Sequence, residues 1–182
     1  MGWQDAHMYE FSSEVGDNEE TLEIVCDEEI FDEFQWRKEN YLQRIEAGET
    51  LHKFDLRWYD NAKQKQMKKA WTYKLTSYFK NPGDTITYRY DFGDDWHHTI
   101  TLESIVEGYP VGYPMLLEAE GNCPPEDVGG SGGFDYFLEA WNHPEHPEHE
   151  EMRAWGEGQY VEFNSEQVNF MLSQTLLLKR VK

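Results

Sequence analysis

Polar and apolar residues alternate most strictly between residues 86 and 102. One face of the alternation carries Ile86, Tyr88, Tyr90 and Phe92 and, after Gly93-Asp94-Asp95, continues with Trp96, His98, Ile100 and Leu102. Successive side chains of a strand point to opposite faces, so two such runs around a short Gly-Asp loop predict a β-hairpin. A three-residue loop places Tyr90 opposite His98, and Asp91 opposite His97, across the two strands.

Helical spacing of apolar residues dominates the rest of the chain. Phe31, Phe34, Leu42 and Ile45 recur near 3.6-residue spacing, which predicts a helix over 32–47. Lysine-rich residues 60–74 are predicted to form a second helix. Further helices are expected over 134–141, from Pro147 to Trp155, and from 165 onward, where Asn164 or Ser165 can cap the first turn.

Shorter signals complete the predicted order of elements. Residues 21–25 are expected to form a short strand, and Asn81-Pro82-Gly83-Asp84 is a strong turn sequence. Together the predicted strands and helices indicate an α+β fold, with a mostly antiparallel sheet and helices packed on one face. Without an internal repeat or a long linker, the sequence predicts one domain over residues 1–182.

Composition narrows the partners that this domain can have. The 182 residues are 15% aromatic and carry a net charge of -20, so the chain has the apolar surface to fold but is a poor match for a nucleic-acid polyanion. No run approaches the roughly 20 apolar residues of a membrane span, and no secretion signal precedes residue 20. We therefore expect a cytoplasmic protein, with Cys26 and Cys123 as free thiols and a protein as a conceivable partner.

One basic island interrupts this acidic chain. It consists of Lys63, Lys65, Lys68 and Lys69, within the lysine-rich segment that ends at Lys74. Such a cluster is read either as the solvated face of a helix or as a patch for an acidic partner. Spacing alone leaves both interpretations open.

Histidines and carboxylates define the candidate chemistry. His98 is expected on the aromatic face of the hairpin. It is interpreted either as a buried structural histidine or as a ligand or acid/base residue. His146 and His149 flank the start of a helix with carboxylates between them, and with His98 and Asp127 they could ligate a divalent metal. The alternative is that these histidines cap a helix, with no cofactor. The glycine-rich loop at 121–133 holds Glu126 and Asp127 and no lysine, which disfavours phosphate binding.

Four ordered motifs resemble the plasmid pRiA-type open-reading-frame-three-like family. They are Tyr88-Arg89-Tyr90-Asp91-Phe92-Gly93-Asp94-Asp95-Trp96-His97-His98, Cys123-Pro124-Pro125-Glu126-Asp127-Val128-Gly129-Gly130, His143-Pro144-Glu145-His146-Pro147-Glu148-His149-Glu150-Glu151-Met152, and Gly2-Trp3 with His7 and Phe11. We call them the signature segments. The resemblance implies a bacterial and archaeal family that also occurs as an insertion-element passenger, with some members labelled TnpR-like resolvases. No nucleophilic serine with an arginine cluster accompanies that label here.

The chain departs from the family pattern in two places. Family members have a strand and a helix before the Gly-Trp segment, so we expect either that the natural start lies upstream of Met1 or that one strand is lacking. Residues 27–71 are interpreted as an insertion, which includes the basic island. The resemblance therefore implies nothing about those lysines.

Three functions follow as hypotheses. We expect a binding or interaction module without catalysis; the alternatives are a metal-dependent hydrolase or nuclease and a transposition-associated nucleic-acid partner that uses the basic island. The candidate functional surface is drawn from the signature segments: Asp91, Asp94, Trp96, His98, Cys123, Glu126, Asp127, His146, His149 and Glu150.

Overall fold

The computed structural model describes residues 3–15 and 20–180. Their contacts form two compact units. We call His7–Ile105 the sheet unit, and Met1–Ala6 together with Val106–Lys182 the helical unit. The single domain over 1–182 and the insertion at 27–71 stay predictions.

The sheet unit holds all five strands that the structure describes. In chain order its elements are β1 (Tyr9–Val15), β2 (Glu20–Val25), α1 (Glu28–Glu46), α2 (Lys53–Lys63), β3 (Lys65–Lys69), α3 (Leu75–Tyr78), β4 (Thr85–Tyr90) and β5 (Trp96–Thr101). The sheet order is β3-β2-β1-β4-β5, antiparallel except where β3 runs parallel to β2. The predicted α+β class and mostly antiparallel sheet are confirmed.

Alternating apolar residues hold this sheet together. Leu22 and Ile24 of β2 meet Ile86 of β4 in one buried cluster, each less than a tenth exposed. Phe11 of β1 packs against the cluster. Because side chains on one face of a strand recur every second residue, the predicted strand at 21–25 also defines its buried face.

Helix α1 begins where the sequence supplies a cap. The Asp27 carboxylate accepts the backbone N–H groups of Glu29 and Ile30 at 2.7 and 3.1 Å, which satisfies two donors that a helix start leaves unpaired. The helix therefore starts four residues before the predicted position 32. Its Tyr41 is buried against Leu51 and Tyr59, which ties α1 to α2.

The predicted lysine-rich helix over 60–74 is wrong. Helix α2 ends at Lys63, and residues 65–69 form strand β3 beside β2. The Thr21 N–H donates to the Gln64 carbonyl and the Ala70 N–H donates to the Val25 carbonyl. The open edge of β2 thus supplies hydrogen-bond partners for this segment that the helical pattern did not anticipate.

The predicted hairpin is present, but its register is wrong. Tyr90 pairs with Trp96, Tyr88 with His98 and Arg89 with His97, so Asp91 does not face His97. Strand β4 ends at Tyr90 because Asp91 adopts a left-handed φ of 54°. The loop therefore has five residues, 91–95, and each strand residue pairs two positions away from the expected one.

The helical unit contains α4 (Gly130–Asn142), α5 (His149–Gly156) and α6 (Ser165–Arg180). Phe137 and Ala140 of α4 are almost fully buried. Pro147 was expected in the first turn of α5, but that helix begins at His149 after a turn that contains Pro147. The Asn164 side chain accepts the Gln167 N–H at 3.0 Å, so Asn164 caps α6 as one of the two predicted alternatives. None of the helices in the described ranges is long and apolar enough to cross a bilayer.

Candidate functional site

Asp91 is the buried charged residue of the hairpin loop. It is 7% exposed, its carboxylate accepts the Gly93 N–H at 2.9 Å, and it lies 3.8 Å from the His7 imidazole. Its own N–H donates to the Met8 carbonyl at 3.0 Å, which extends the β1–β4 ladder. A left-handed backbone at a non-glycine residue is uncommon, and here these bonds hold it.

A charged network covers the outer side of the same loop. Arg89 is bonded to Asp95, and the Asp95 carboxylate lies 3.0 Å from Nε2 of His97. The hydrogen bond from Arg89 holds the pKa of Asp95 below its usual value, and the bond to Asp95 raises the pKa of Arg89. Asp94 is half-buried in the loop. The bonds among Arg89, Asp95 and His97 stabilise the turn.

Trp96 and His98 lie on β5 and are both half-buried. The ring centroid of His98 is 5.7 Å from that of Tyr88 across the strand pair, so the predicted aromatic face is confirmed. Burial lowers the pKa of His98, because desolvation disfavours the charged imidazolium. His98 thus favours its neutral form, whatever its role.

The glycine-rich loop of the helical unit is tightly built. The Trp3 indole donates to the Pro124 carbonyl at 2.9 Å, and the Gln4 N–H donates to the Glu126 carboxylate at 2.7 Å. A Cβ at Gly133 would lie 2.0 Å from the Val128 carbonyl oxygen. The glycine therefore permits the loop to close against the start of α4.

Two of the three candidate metal-binding histidines, His146 and His149, each use a ring nitrogen in a hydrogen bond within the chain. Nδ1 of His146 accepts the Glu148 N–H at 3.2 Å, and Nδ1 of His149 donates to the Ala140 carbonyl at 2.8 Å. Within the described part of the helical unit, Asp127, His146 and His149 do not bring three ligand atoms within 4.8 Å of one another. A metal held by these residues, or by His98, stays a prediction.

Two signature segments meet around a cavity in the helical unit, which we call the signature cavity. Its volume is about 260 Å³. It is lined by Asp127, Val128, Gly133, Tyr136, Phe137, Glu151, Met152 and Trp155. The glycine-rich loop supplies Asp127 and the segment before Trp155 supplies Glu151, so each segment contributes an acidic residue to the lining.

Aromatic rings form the other walls of the signature cavity. The rings of Phe137 and Trp155 stand at 70° with centroids 5.6 Å apart, and Tyr136 is 43% exposed. A hydrogen bond to Glu148 raises the pKa of Tyr136, so this hydroxyl remains protonated at neutral pH. The cavity thus combines π faces with carboxylates.

Sequence reasoning selected Asp127 but missed the rest of this cavity. A signal was available: positions 133, 136 and 137 recur on one face of α4, and 151, 152 and 155 on one face of α5. Glu150, which was selected, lies exposed in the first turn of α5 and does not line the cavity.

A second, larger cavity in the helical unit is apolar. Its volume is about 510 Å³, and its walls include Trp3, Leu116, Cys123, Phe163 and Leu172. Cys123 is half-buried there as a free thiol. The Asn169 side chain both donates to the Leu116 carbonyl and accepts the Leu116 N–H. Cys123 therefore belongs to an apolar surface and not to the signature cavity.

Carboxylates neutralise most of the basic island. Lys63 pairs with Asp60, Lys65 with Glu23, and Lys69 with both Glu28 and Asp32. Lys68 is exposed. Lys63 ends α2, whereas Lys65, Lys68 and Lys69 lie along β3, an edge of the sheet, where charged side chains hinder pairing with another strand. Most of the island thus follows a strand edge instead of a helix face.

Fold and cavity together define an α+β protein with a signature-lined cavity in its helical unit. The chain belongs to the family of plasmid pRiA4b ORF-3-like proteins, whose family model matches residues 1–171. The expected family membership is confirmed. The insertion-element and TnpR-like associations are not shown by this match.

Two similar proteins are described as uncharacterized or of unknown function. The uncharacterized protein y4hQ of Sinorhizobium fredii is 50% identical over 68 residues, which is 37% of this chain and 35% of that protein. The crystal structure of MM3350, a protein of unknown function from Methanosarcina mazei Go1, is 24% identical. Its alignment covers 91% of this chain and 74% of that one, with a TM-score of 0.56. That similarity shows the fold alone.

Proposed function

We propose that this protein is a non-catalytic binding module that holds a basic side chain of a partner protein in the signature cavity. The observation that carries the proposal is the combination of two exposed aromatic rings, Tyr136 and Trp155, with the acidic residues Asp127 and Glu151 in the lining of one cavity. The partner residue is a lysine or an arginine. The function is recognition, in keeping with the interaction module expected from sequence.

The chemistry of the walls favours a cation. The face of an aromatic ring attracts an ammonium or guanidinium group, and carboxylates at the rim add a charged hydrogen-bond acceptor. The net charge of -20 also draws basic partners and repels acidic ones. An anionic ligand would meet Asp127 and Glu151 with no lysine or arginine among the residues that line the cavity.

The size of the cavity favours one side chain over a whole small molecule. Its volume of about 260 Å³ is below the roughly 300–1,000 Å³ of pockets that enclose drug-sized ligands. A side chain presented on a peptide fits this space while the peptide backbone stays outside. Free Cys26 and Cys123 support a reducing compartment, so we place the interaction in the cytoplasm.

The proposal is tested with three short peptides of equal length. Gly-Lys-Gly and Gly-Arg-Gly carry the cation, and Gly-norleucine-Gly replaces lysine by an uncharged chain of similar shape. Titration of each peptide is followed by NMR at the Trp155 indole N–H, assigned with Trp155→Leu. We expect millimolar binding of the two basic peptides and none of the norleucine peptide.

A matched pair of variants on α5 distinguishes binding in the cavity from non-specific attraction of a basic peptide to the acidic chain. Both residues are exposed, but Glu151→Gln changes an acidic residue that lines the cavity and Glu150→Gln changes one that does not. An ion pair at a partly exposed site contributes up to about 1 kcal/mol, so Glu151→Gln should weaken binding by about threefold to fivefold. Equal effects of the two variants, or equal binding of the norleucine peptide, would refute the proposal.

A further inference from the structure

Strand β5 is an open edge of the sheet with backbone groups directed outward. It is the last strand in the order β3-β2-β1-β4-β5. Antiparallel strands exchange hydrogen bonds at alternate residues, and the Leu102 N–H donates to the Asp84 carbonyl at 2.9 Å. Position 102 and every second residue before it therefore bond to β4. The N–H and C=O groups of His97, Thr99 and Thr101 point away from β4.

The side chains along this edge leave it accessible. His97, Thr99 and Thr101 are all exposed, and Ile100 is 38% exposed. Strand β5 contains no lysine, proline or glycine. Those residues are the usual means of protecting an edge from another strand.

The opposite edge of the same sheet is protected. Strand β3 has lysines at three of its five positions, and Lys65 and Lys69 form ion pairs with carboxylates of neighbouring elements. Both edges belong to one sheet and to one acidic chain, yet only β3 carries these charges. This asymmetry marks β5 as the edge that is left open for a partner.

Charge identifies the partner. Strand β5 is preceded by Asp94 and Asp95 and followed by Glu103. In a pairing of two copies that uses all three outward residues, Thr99 meets Thr99, and Asp95 of each copy, which is bonded to Arg89 of its own chain, falls opposite Glu103 of the other. Like charges across strands destabilise a pair, and two chains of charge -20 repel each other. An extended segment with basic residues at its ends has the opposite, favourable arrangement.

We propose that β5 binds an extended, basic-flanked segment of a partner protein, which adds a sixth strand antiparallel to β5. Main-chain bonds to His97, Thr99 and Thr101 supply the pairing, and lysines or arginines at the ends of the segment face the acidic residues that flank β5. This mode of recognition is β-strand addition. It concerns the sheet unit and is independent of the signature cavity.

The probe is the synthetic peptide Lys-Lys-Thr-Val-Thr-Val-Thr-Lys-Lys, with a control in which every Lys is Glu. Amide hydrogen exchange of the full chain is measured residue by residue. The lysine peptide should slow exchange at 97, 99 and 101, while 98 and 100, already bonded to β4, change little. The glutamate peptide should have no effect. These amides are read separately from the Trp155 indole, so failure of this proposal is distinguishable from failure of the cavity proposal.

Variants of the edge test the same bonds. Thr99→Pro removes one outward N–H at a position where an edge strand tolerates proline, and Thr99→Val retains it. Loss of one such hydrogen bond weakens binding by up to about tenfold. Thr99→Pro should therefore bind the lysine peptide about tenfold more weakly than the parent, and Thr99→Val should bind it with nearly the parent affinity.

A second variant covers the case in which proline disrupts the sheet. Thr101→Lys places on β5 the charge that protects β3, and Thr76→Lys makes the same change at an exposed position of α3. We expect only Thr101→Lys to abolish protection by the lysine peptide. The proposal is overturned if the peptide protects none of the three amides, if both lysine variants behave alike, or if sedimentation shows a dimer that Thr101→Lys dissociates.

Discussion

The indole of Trp155 stands nearly perpendicular to the ring of Phe137, at 70° and with the centroids 5.6 Å apart. Phe137 is 1% exposed and Trp155 is 37% exposed. The pair therefore joins the core of the helical unit to the wall of the signature cavity, so the shape of the cavity depends on how closely α4 and α5 pack.

Gly156 controls that packing. A Cβ at this position would lie 2.7 Å from the Trp141 ring and 2.9 Å from the Phe137 ring. We expect Gly156→Ala to destabilise the protein by about 1–3 kcal/mol through overpacking, measured by urea denaturation. Gly132→Ala is the matched control, because a Cβ there meets nothing within 4 Å and alanine favours a helix by about 0.5–1 kcal/mol. Equal loss of stability in both variants would contradict this assignment.

The hydroxyl of Tyr41 links α1 to α2. It donates to the Asp55 carboxylate at 2.6 Å and is 8% exposed as a residue. Tyr41→Phe should lower the free energy of unfolding by about 1.5–3 kcal/mol, as expected for a hydrogen bond to a charged group. Tyr59→Phe, at an equally buried ring of the same cluster, should change stability less. Thermal denaturation of the two variants measures this difference. A larger loss of stability for Tyr59→Phe than for Tyr41→Phe would contradict the stabilising role of the Tyr41–Asp55 hydrogen bond.

Asp84 makes the stability of the sheet unit depend on pH. Its carboxylate accepts the N–H groups of Asn81 and Lys80 at 2.9 and 2.6 Å, and these bonds hold its pKa below the usual value. A depressed folded-state pKa contributes stability above the unfolded pKa of about 3.9, and that stability is lost as pH falls through the folded value. Asp84→Asn should therefore be less stable than the parent at pH 7, and the difference should shrink below pH 4. A difference that is constant from pH 7 to pH 2 would exclude this cause.

Asn122 fastens the loop before α6. Its side chain accepts the Phe163 N–H at 2.8 Å and donates to the Tyr160 hydroxyl at 3.0 Å. Asn122→Ala leaves a part-buried N–H without this acceptor, so we expect a loss of about 1–3 kcal/mol and faster amide exchange at Phe163. Asn142→Ala is a suitable control, since Asn142 is exposed and its side chain bonds only locally to the Leu138 carbonyl. Unchanged exchange at Phe163 in Asn122→Ala would show that the loop is held by other contacts.

Local sequence signals were sufficient to predict the elements that are stabilised by contacts between neighbouring residues. The short strand at 21–25, the helix cap at Asn164 or Ser165 and the turn at 81–84 each depend on a few neighbouring residues, and the structure contains the strand, the turn and the Asn164 cap. The α+β class followed from these elements and their order. The family could be predicted because its signature segments are long and contiguous.

Loop geometry decided the register of the hairpin. Asp91 and Asp95 both adopt left-handed backbones, with φ of 54° and 59°, and the loop takes five residues in place of three. Alternation along each strand is the same for either loop length, so the pattern could not distinguish them. Since a shift of two residues keeps each side chain on its face, the aromatic face of His98 was predicted correctly and its cross-strand partner was not.

The sequence by itself determined the family, the class of fold and the elements with strong local signals, such as the strand at 21–25 and the turn at 81–84. Tertiary structure decided that residues 65–69 form a strand, because the open edge of β2 offers hydrogen bonds that override the good helical propensity of these residues. It also decided the signature cavity, because Asp127 and Glu151 are 24 positions apart in the chain and only the packing of the loop against α4 and α5 makes them line one space. Spacing along a chain reports neighbours within an element, whereas a binding site depends on which elements pack together.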